Sequence, residues 1–444
     1  MSLVAKTKSQ LLSPLKYVWR NLGVRQHVLN RRFDHWLQQW QEACSCCEND
    51  FACQAENVLI IPSDPELLTS SSGDQAMIGA IIRYWQQTRQ NSRFFAATAS
   101  ETADAEATQR QIAPLPLLRP DASFAAALAA VRKHQIGTVV LMGADVLDGS
   151  YNVAFSGRQL MLADLLARLG CNCFVTGFSV SKNFQPRIRQ FFDQIDPSIE
   201  INLRDPVSFQ RFKEATKAKA KLVADIAFLL PPKGSDQTRE VVTWIEGQKA
   251  AAHSVIGINA HPLLLELTER NRVPEFIDRL CQILKQLAGQ RDVSFLMIDH
   301  DKRGDSSDCL CLQPIQQQLE PTLGDRLYYP PFRLAADEVK EVAKHLDGIV
   351  SGRMHLMIAS LGAGTPVFGI DYKDKMEGLL NHFSMSTEDL TSAAEILSAP
   401  QLVADRLFQF VDALQTKREQ VVALKPKITQ AAEANFLKES ANAR

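Results

Sequence analysis

The chain has 444 residues, too many for one ordinary hydrophobic core, and its length predicts roughly two or three domains, with two as the simpler division. Its 45% hydrophobic and 22% charged residues and its formal net charge of −1 describe an ordinary globular composition, with no global reason to expect nucleic acid as a partner. The apolar runs at 225–232 and 254–260 are strand-sized, and the basic opening residues lead into an amphipathic rather than a continuously apolar segment; neither a membrane span nor a signal peptide is expected, and the predicted compartment is the cytoplasm.

Residues 1–55 form a basic extension. Lys6, Lys8, Lys16, Arg20, Arg25, Arg31 and Arg32 face a single acid, Asp34, before position 40, while Leu22, Leu29, Phe33, Leu37 and Trp40 recur at helical spacing. Such a helix either packs on the body with a solvated basic face, the favoured reading, or lets residues 1–40 rest on an anionic membrane at the inner face of the cell. Cys44, Cys46, Cys47 and Cys53 crowd together, but no second cluster completes them, so reduced thiols are expected rather than a metal site.

From Asn57 the pattern alternates between strand and helix. Apolar, β-branched runs at 58–61, 138–142, 171–177 and 199–203 predict strands, and Met77, Ile78, Ile81 and Ile82 share one face of a helix predicted over 74–87. A second series follows, with strands at 254–259, 293–298, 348–351 and 366–370 and helices at 274–288, 335–346 and 354–361. Alternation of this kind predicts parallel sheets with helices on both faces and ligands at the carboxyl ends of the strands. The turn-rich Pro231-Pro232-Lys233-Gly234-Ser235 separates the halves, so a first Rossmann-like domain is expected over 56–245, a second over 246–393, and helices over 394–444.

The stretch 351–375, SGRMHLMIASLGAGTPVFGIDYKDK, carries the most chemistry. A strand ends at Ser351-Gly352, Arg353 and His355 open a helix, Gly362 and Gly364 stop it, and the next strand delivers Tyr372, Lys373, Asp374 and Lys375 to the same rim. A helix start with free N–H groups, a guanidinium and an imidazole makes an anion site beside a group able to give or take a proton. His261 ends another predicted strand and is a lesser cleft candidate. Asp299, His300, Asp301, Asp305 and Asp308 are expected to form a solvated loop lining the cleft rather than a divalent-metal site.

This stretch resembles the polysaccharide pyruvyl transferase family, with its R-L-H helix start, G-x-P-turned strand and Y-D-P-K loop. Further landmarks fall in order: Ser72-Gly73-Asp74 is similar to an N-x-G-D helix start, Met142-Gly143-Ala144-Asp145 to a G-G loop, Arg204-Asp205 with Ser208 to an R-D-x-x-S strand end, and 225–230, DIAFLL, to the strand before the interdomain crossing. Ala144 stands where the family has a glycine, Ser72 near its asparagine, and the loop at 372–375 lacks the proline.

The resemblance implies a fold like the two-domain glycosyltransferases of the B type (GT-B), with phosphoenolpyruvate as donor, a glycan or lipid-linked sugar as acceptor, ketal formation as the reaction, and no metal or further cofactor. It implies His355 as general acid/base and Arg204, Arg353 and Lys375 as anion clamps, with Lys373, Tyr372, Gly73, Gly143 and His261 around the substrates. Asp74 serves either as a base toward the acceptor or as a plain helix-start residue. Two readings compete: a GT-B glycosyltransferase using a nucleotide sugar, for which Glu377 could pass as the ribose carboxylate, and a non-catalytic protein of a polysaccharide pathway.

Overall fold

The computed structural model describes residues 24–45, 56–372 and 376–438. The first half contributes β1 (Asn57–Ile61), β2 (Phe94–Ala97), β3 (Ala113–Leu115), β4 (Ile136–Leu141), β5 (Asn172–Phe178), β6 (Glu200–Leu203) and β7 (Lys221–Leu222), in the sheet order β3-β2-β1-β4-β5-β6-β7. The second contributes β8 (Ser254–Asn259), β9 (Val293–Met297), β10 (Leu327–Tyr328), β11 (Gly348–Ser351), β12 (Val367–Asp371) and β13 (Leu390–Ser392), ordered β10-β9-β8-β11-β12-β13. Every pairing within the two sheets is parallel. Helices cover both faces, so central strands such as β4 are buried throughout, which is why they read as continuous apolar runs.

The strand order reverses between β1 and β4 in one sheet and between β8 and β11 in the other, the places where open α/β sheets leave a crevice. Ile61 pairs with Leu141 and Asn259 with Ser351, so the loops after these strands emerge level with one another. These loops build the cleft between the halves.

The segment resembling a strand at 225–230 is instead a short 3₁₀ turn, Ile226–Leu229, because the Asp225 carboxylate accepts the Ala227 N–H at 2.9 Å and curls the chain. The helix Asp236–Ala250 belongs with the second sheet: the Trp244 indole N–H donates to the Asp325 carbonyl at 3.2 Å, and its ring lies 5.4 Å from that of Tyr328. The chain has thus crossed between halves by Ser235, ahead of residue 246. At the carboxyl end the helix Leu414–Glu433 returns to the first half, where the Asn435 side chain accepts from Gly177 N at 2.7 Å and donates to the Ala224 carbonyl at 2.8 Å.

The helix Val24–Ser45 lies against the helix Val153–Arg168. Leu29, Phe33 and Trp40 are buried, and the Trp40 indole donates to Asp164 at 2.9 Å. The described part of the extension therefore packs on the body, as favoured; residues 1–23, and with them most of the basic segment considered for membrane contact, lie outside the described residues, as do Cys46, Cys47 and Cys53. Among the described residues no helix is long and apolar enough to cross a membrane.

Candidate active site

In the first half, the loop after β1 ends at Ser71, the N-cap of the helix Ser72–Thr88. Its side chain accepts the Asp74 N–H at 3.1 Å, while its hydroxyl donates to one Asp74 oxygen at 2.6 Å and the Ser63 hydroxyl donates to the other. Asp74 thus closes the cap and also lines the cleft. Burial raises the pKa of its carboxyl, and the two hydroxyls only partly oppose that rise.

In the second half, β11 runs into Ser351, whose hydroxyl accepts the Arg353 N–H at 3.0 Å and shapes the start of the helix Met354–Ala363; Gly364, at φ 94°, ends that helix. His355 is in its first turn. A β-carbon at Gly73 would fall on the His355 ring, so the two helix starts meet face to face across the domain boundary. The backbone fastens this meeting: the Ser72 N–H donates to the His300 carbonyl at 3.0 Å, and the Arg333 guanidinium donates to the same carbonyl at 2.7 Å and to the Ser72 hydroxyl at 3.1 Å.

Arg204 follows β6 and is buried. Its Nε donates to the Ser179 hydroxyl at 2.8 Å and one amino group to Asp225 Oδ2 at 2.9 Å. Its partner is thus Asp225 rather than its neighbour Asp205, which caps the helix Pro206–Ala215 through the Ser208 N–H at 2.7 Å. The same Asp225 oxygen lies 3.7 Å from His355 Nε2, which has no hydrogen-bond partner among the described residues. Burial would raise the Asp225 pKa, but His355 and Arg204 together outweigh it and hold the carboxylate well below its ordinary range. Arg204 from one half and His355 from the other are thus joined through one carboxylate.

Arg353 and the 299–308 segment depart from expectation. Arg353 is buried; its Nε and one amino group donate to Asp308 at 2.9 and 2.6 Å, the same amino group donates to the Ser306 carbonyl at 2.5 Å, and the other lies 3.2 Å from an Asp301 oxygen. Its charge is already matched by two carboxylates, so it organises the wall of the cleft instead of standing free as an anion clamp. His300, Asp301 and Asp308 are buried rather than solvated. Asp308 accepts from Asn259 and from the His300 N–H, each at 2.8 Å, and Asp301 is gripped by Arg303, Nη2 to Oδ2 at 2.7 Å. Among the described residues no three His, Cys, Asp or Glu side chains are grouped to hold a metal ion.

These elements enclose a cleft of about 530 Å³ that Gly73, Asp74, Arg204, Arg353, His355 and Tyr372 all line. Its walls differ in chemistry. The first half presents the acids Asp64, Glu66, Asp74 and Asp145 with Arg204 and Tyr151, whose hydroxyl donates to Asp145 at 2.9 Å; the second presents Arg303, Arg353, His300 and His355 with one acid, Asp301. Two expected residues stand behind the wall. The Gly143 N–H donates to the Thr176 hydroxyl at 3.0 Å, and a β-carbon there would strike the Thr176 carbonyl, so this glycine serves close strand packing. His261 is fully buried, with Nε2 2.8 Å from the Gly352 carbonyl and its ring edge-on to Tyr372 at 5.2 Å; burial, then Arg353, push its pKa well below the ordinary value, so it sits as a neutral packing residue. Lys373 and Lys375 lie outside the described residues, and Glu377 is exposed on the helix Met376–His382. Sequence reasoning missed Asp225 and Arg303 as site residues; an Asp directly before the interdomain crossing was the available signal for the first.

Two parallel α/β sheets facing each other across a cleft, with a terminal helix returning to the first, define the GT-B class. Solved structures of this shape bear that out at the level of fold: a putative UDP-N-acetylglucosamine 2-epimerase from Listeria monocytogenes (TM-score 0.55, 10% identity, 85% of this chain and 94% of that one), the UDP-GlcNAc 2-epimerase of Neisseria meningitidis (0.53, 13%, 85% and 97%), and a glycosyltransferase from Rickettsia africae (0.51, 11%, 87% and 100%). Within that class, residues 73–374 match the polysaccharide pyruvyl transferase family, and the chain belongs to it. No curated protein matches the sequence significantly.

Proposed function

We propose that the cleft transfers the pyruvyl group of phosphoenolpyruvate to two hydroxyls of a sugar in a cell-surface polysaccharide or its lipid-linked precursor, forming a ketal. The observation that carries this reading is the joining of Arg204 and His355 through Asp225, with His355 seated at a helix N-terminus against Gly73 and Asp74. A protonated His355 delivers a proton to the methylene carbon of the donor, which becomes a methyl group and leaves the adjacent carbon electrophilic. A sugar hydroxyl adds to that carbon and gives up its proton, the bond to the phosphate oxygen breaks, and a neighbouring hydroxyl closes the ring with loss of a second proton. The released phosphate takes up one proton, so protons balance over the cycle. Asp74, whose burial makes it a stronger base than an ordinary carboxylate, is assigned to receive a hydroxyl proton on the acceptor side.

Arg204 has an amino group that neither its Asp225 nor its Ser179 bond uses, and the helix start at Met354 adds free backbone N–H groups; together with Lys373 and Lys375 these are assigned to the donor's phosphate and carboxylate. The test is incubation of the protein with phosphoenolpyruvate and a panel of free and lipid-linked glycans, following phosphate release and product mass. Phosphate release that requires both substrates and disappears in His355→Ala supports the reading. Turnover of a nucleotide sugar with no use of phosphoenolpyruvate overturns it.

A further inference from the structure

The two helices that meet in the cleft also meet a second cavity, of about 270 Å³, at their far ends. The helix Ser72–Thr88 has Gly73 and Asp74 in the cleft and Arg83 in this cavity; the helix Met354–Ala363 has His355 in the cleft and Gly362 in this cavity. The cavity lies on the hinge, since the interdomain crossing at Pro231 forms one side of it.

Its charge is one-sided. Arg83, Lys340, Lys344 and Lys425 line it against one acid, Glu433, and Lys344 is also held by Glu341 at 2.5 Å. Lys340 is only 5% exposed, and its ammonium donates to the carbonyls of Phe228 and Leu230 at 2.8 and 2.7 Å. A lysine ammonium has three donors, so these two carbonyls leave one unused. The charged groups that act on Lys340 are Lys425 and Lys344, both of its own sign. In its charged form Lys340 has a donor to spare and like charges beside it, which is costly; an anion in the cavity supplies an acceptor and a balancing charge and so favours that charged form.

We propose that this hinge cavity binds a small phosphate-bearing anion, inorganic phosphate or a simple phosphate monoester, between Arg83, Lys340, Lys344 and Lys425. Four basic groups suit a multiply charged oxyanion better than a single carboxylate, and the volume falls just below the usual range of about 300–1,000 Å³ for drug-sized ligands, which points to a compact anion. Arg83 belongs to the first half, Lys340 and Lys344 to the second, and Lys425 to the returning helix. The bound anion therefore ties the two halves together behind the cleft and stabilises the arrangement in which Gly73 and His355 touch. This site is separate from the donor site and stands whether or not the donor is phosphoenolpyruvate.

Binding is measured by equilibrium dialysis of the full chain with labelled inorganic phosphate, with unlabelled glycerol 3-phosphate as competitor, at fixed ionic strength. The expected result is a phosphate site that persists in His355→Ala, weakens at least tenfold in the surface double variant Lys344→Glu/Lys425→Glu, and tightens in Glu433→Gln. Competition tighter than that of phosphate itself assigns the site to an ester; weaker competition assigns it to the free ion. Phosphate binding unchanged in Lys344→Glu/Lys425→Glu, or lost in His355→Ala, overturns the proposal.

Discussion

His355, on a helix of the second sheet, lies with its ring against the α-carbon of Gly73, on a helix of the first, closely enough that a β-carbon at 73 would overlap Nδ1 and Cγ of the imidazole. The absence of a side chain at one residue therefore sets the position of the proposed proton donor in the other domain. Replacing Gly73 by Ala pushes the ring away or pries the two helix starts apart. Because small misplacements of reacting groups cost on the order of 100-fold in rate, Gly73→Ala is expected to lower kcat by about that factor while circular dichroism shows an intact fold. Phosphate release with phosphoenolpyruvate is the readout, and an unchanged kcat would mean that this contact does not position the imidazole.

Asp225 lies against Arg204 and His355 at once, and its loss leaves Arg204 buried without its carboxylate. Breaking one side of a buried ion pair costs roughly 3–5 kcal/mol, so Asp225→Asn should lower the urea-unfolding free energy by about that amount. Removing the other partner as well, in Arg204→Met/Asp225→Asn, should restore more than half of the loss, because the stranded charge is gone. A single variant as stable as the parent would show that Arg204 finds another partner.

Ala144 has φ 49°, in the left-handed region, where a β-carbon is strained. It occupies the position that resembles a family glycine, and its bridge to Phe178 holds the conformation in place. Ala144→Gly is expected to stabilise the protein by about 1 kcal/mol, seen as a higher midpoint of thermal unfolding. A lower midpoint would mean that the methyl group packs well enough to outweigh the strain.

What the sequence made legible follows from how locally each feature is encoded. The central strands were readable because a strand buried on both faces is an unbroken apolar run, and Ser254–Asn259 and Gly348–Ser351 fall where those runs lie. The edge strands were not, since Lys221–Leu222 and Leu327–Tyr328 are two residues long and owe their pairing to the sheets they border. His355, Arg353 and Asp74 could be found because helix starts carry local signatures. The 299–308 segment looked solvated because the ion pair that buries it is not local; the partner of Asp308 is Arg353, brought in from another strand end, and only the fold makes that pair. Asp225 was hidden for the same reason, with Arg204 and His355 coming to it from different domains.

Lys340 gives the fold a pH dependence of definite sign. Burial first, and then Lys425 and Lys344, push its pKa down to about 7, against 10.5 for an ordinary lysine. Between those values the unfolded chain binds a proton that the folded chain does not, so this group makes stability rise with pH from about 7 to about 10.5, with a flat contribution below about 7, where both states are protonated. The slope is on the order of 1 kcal/mol per pH unit in that window. Lys340→Met removes the titrating group and should lack the rise. Urea unfolding of both proteins at pH 7.5 and 9.5 in phosphate-free buffer measures the difference, expected near ~2 kcal/mol in favour of a steeper parent. Equal slopes would show that the amine stays charged in the fold, held by its two carbonyls alone.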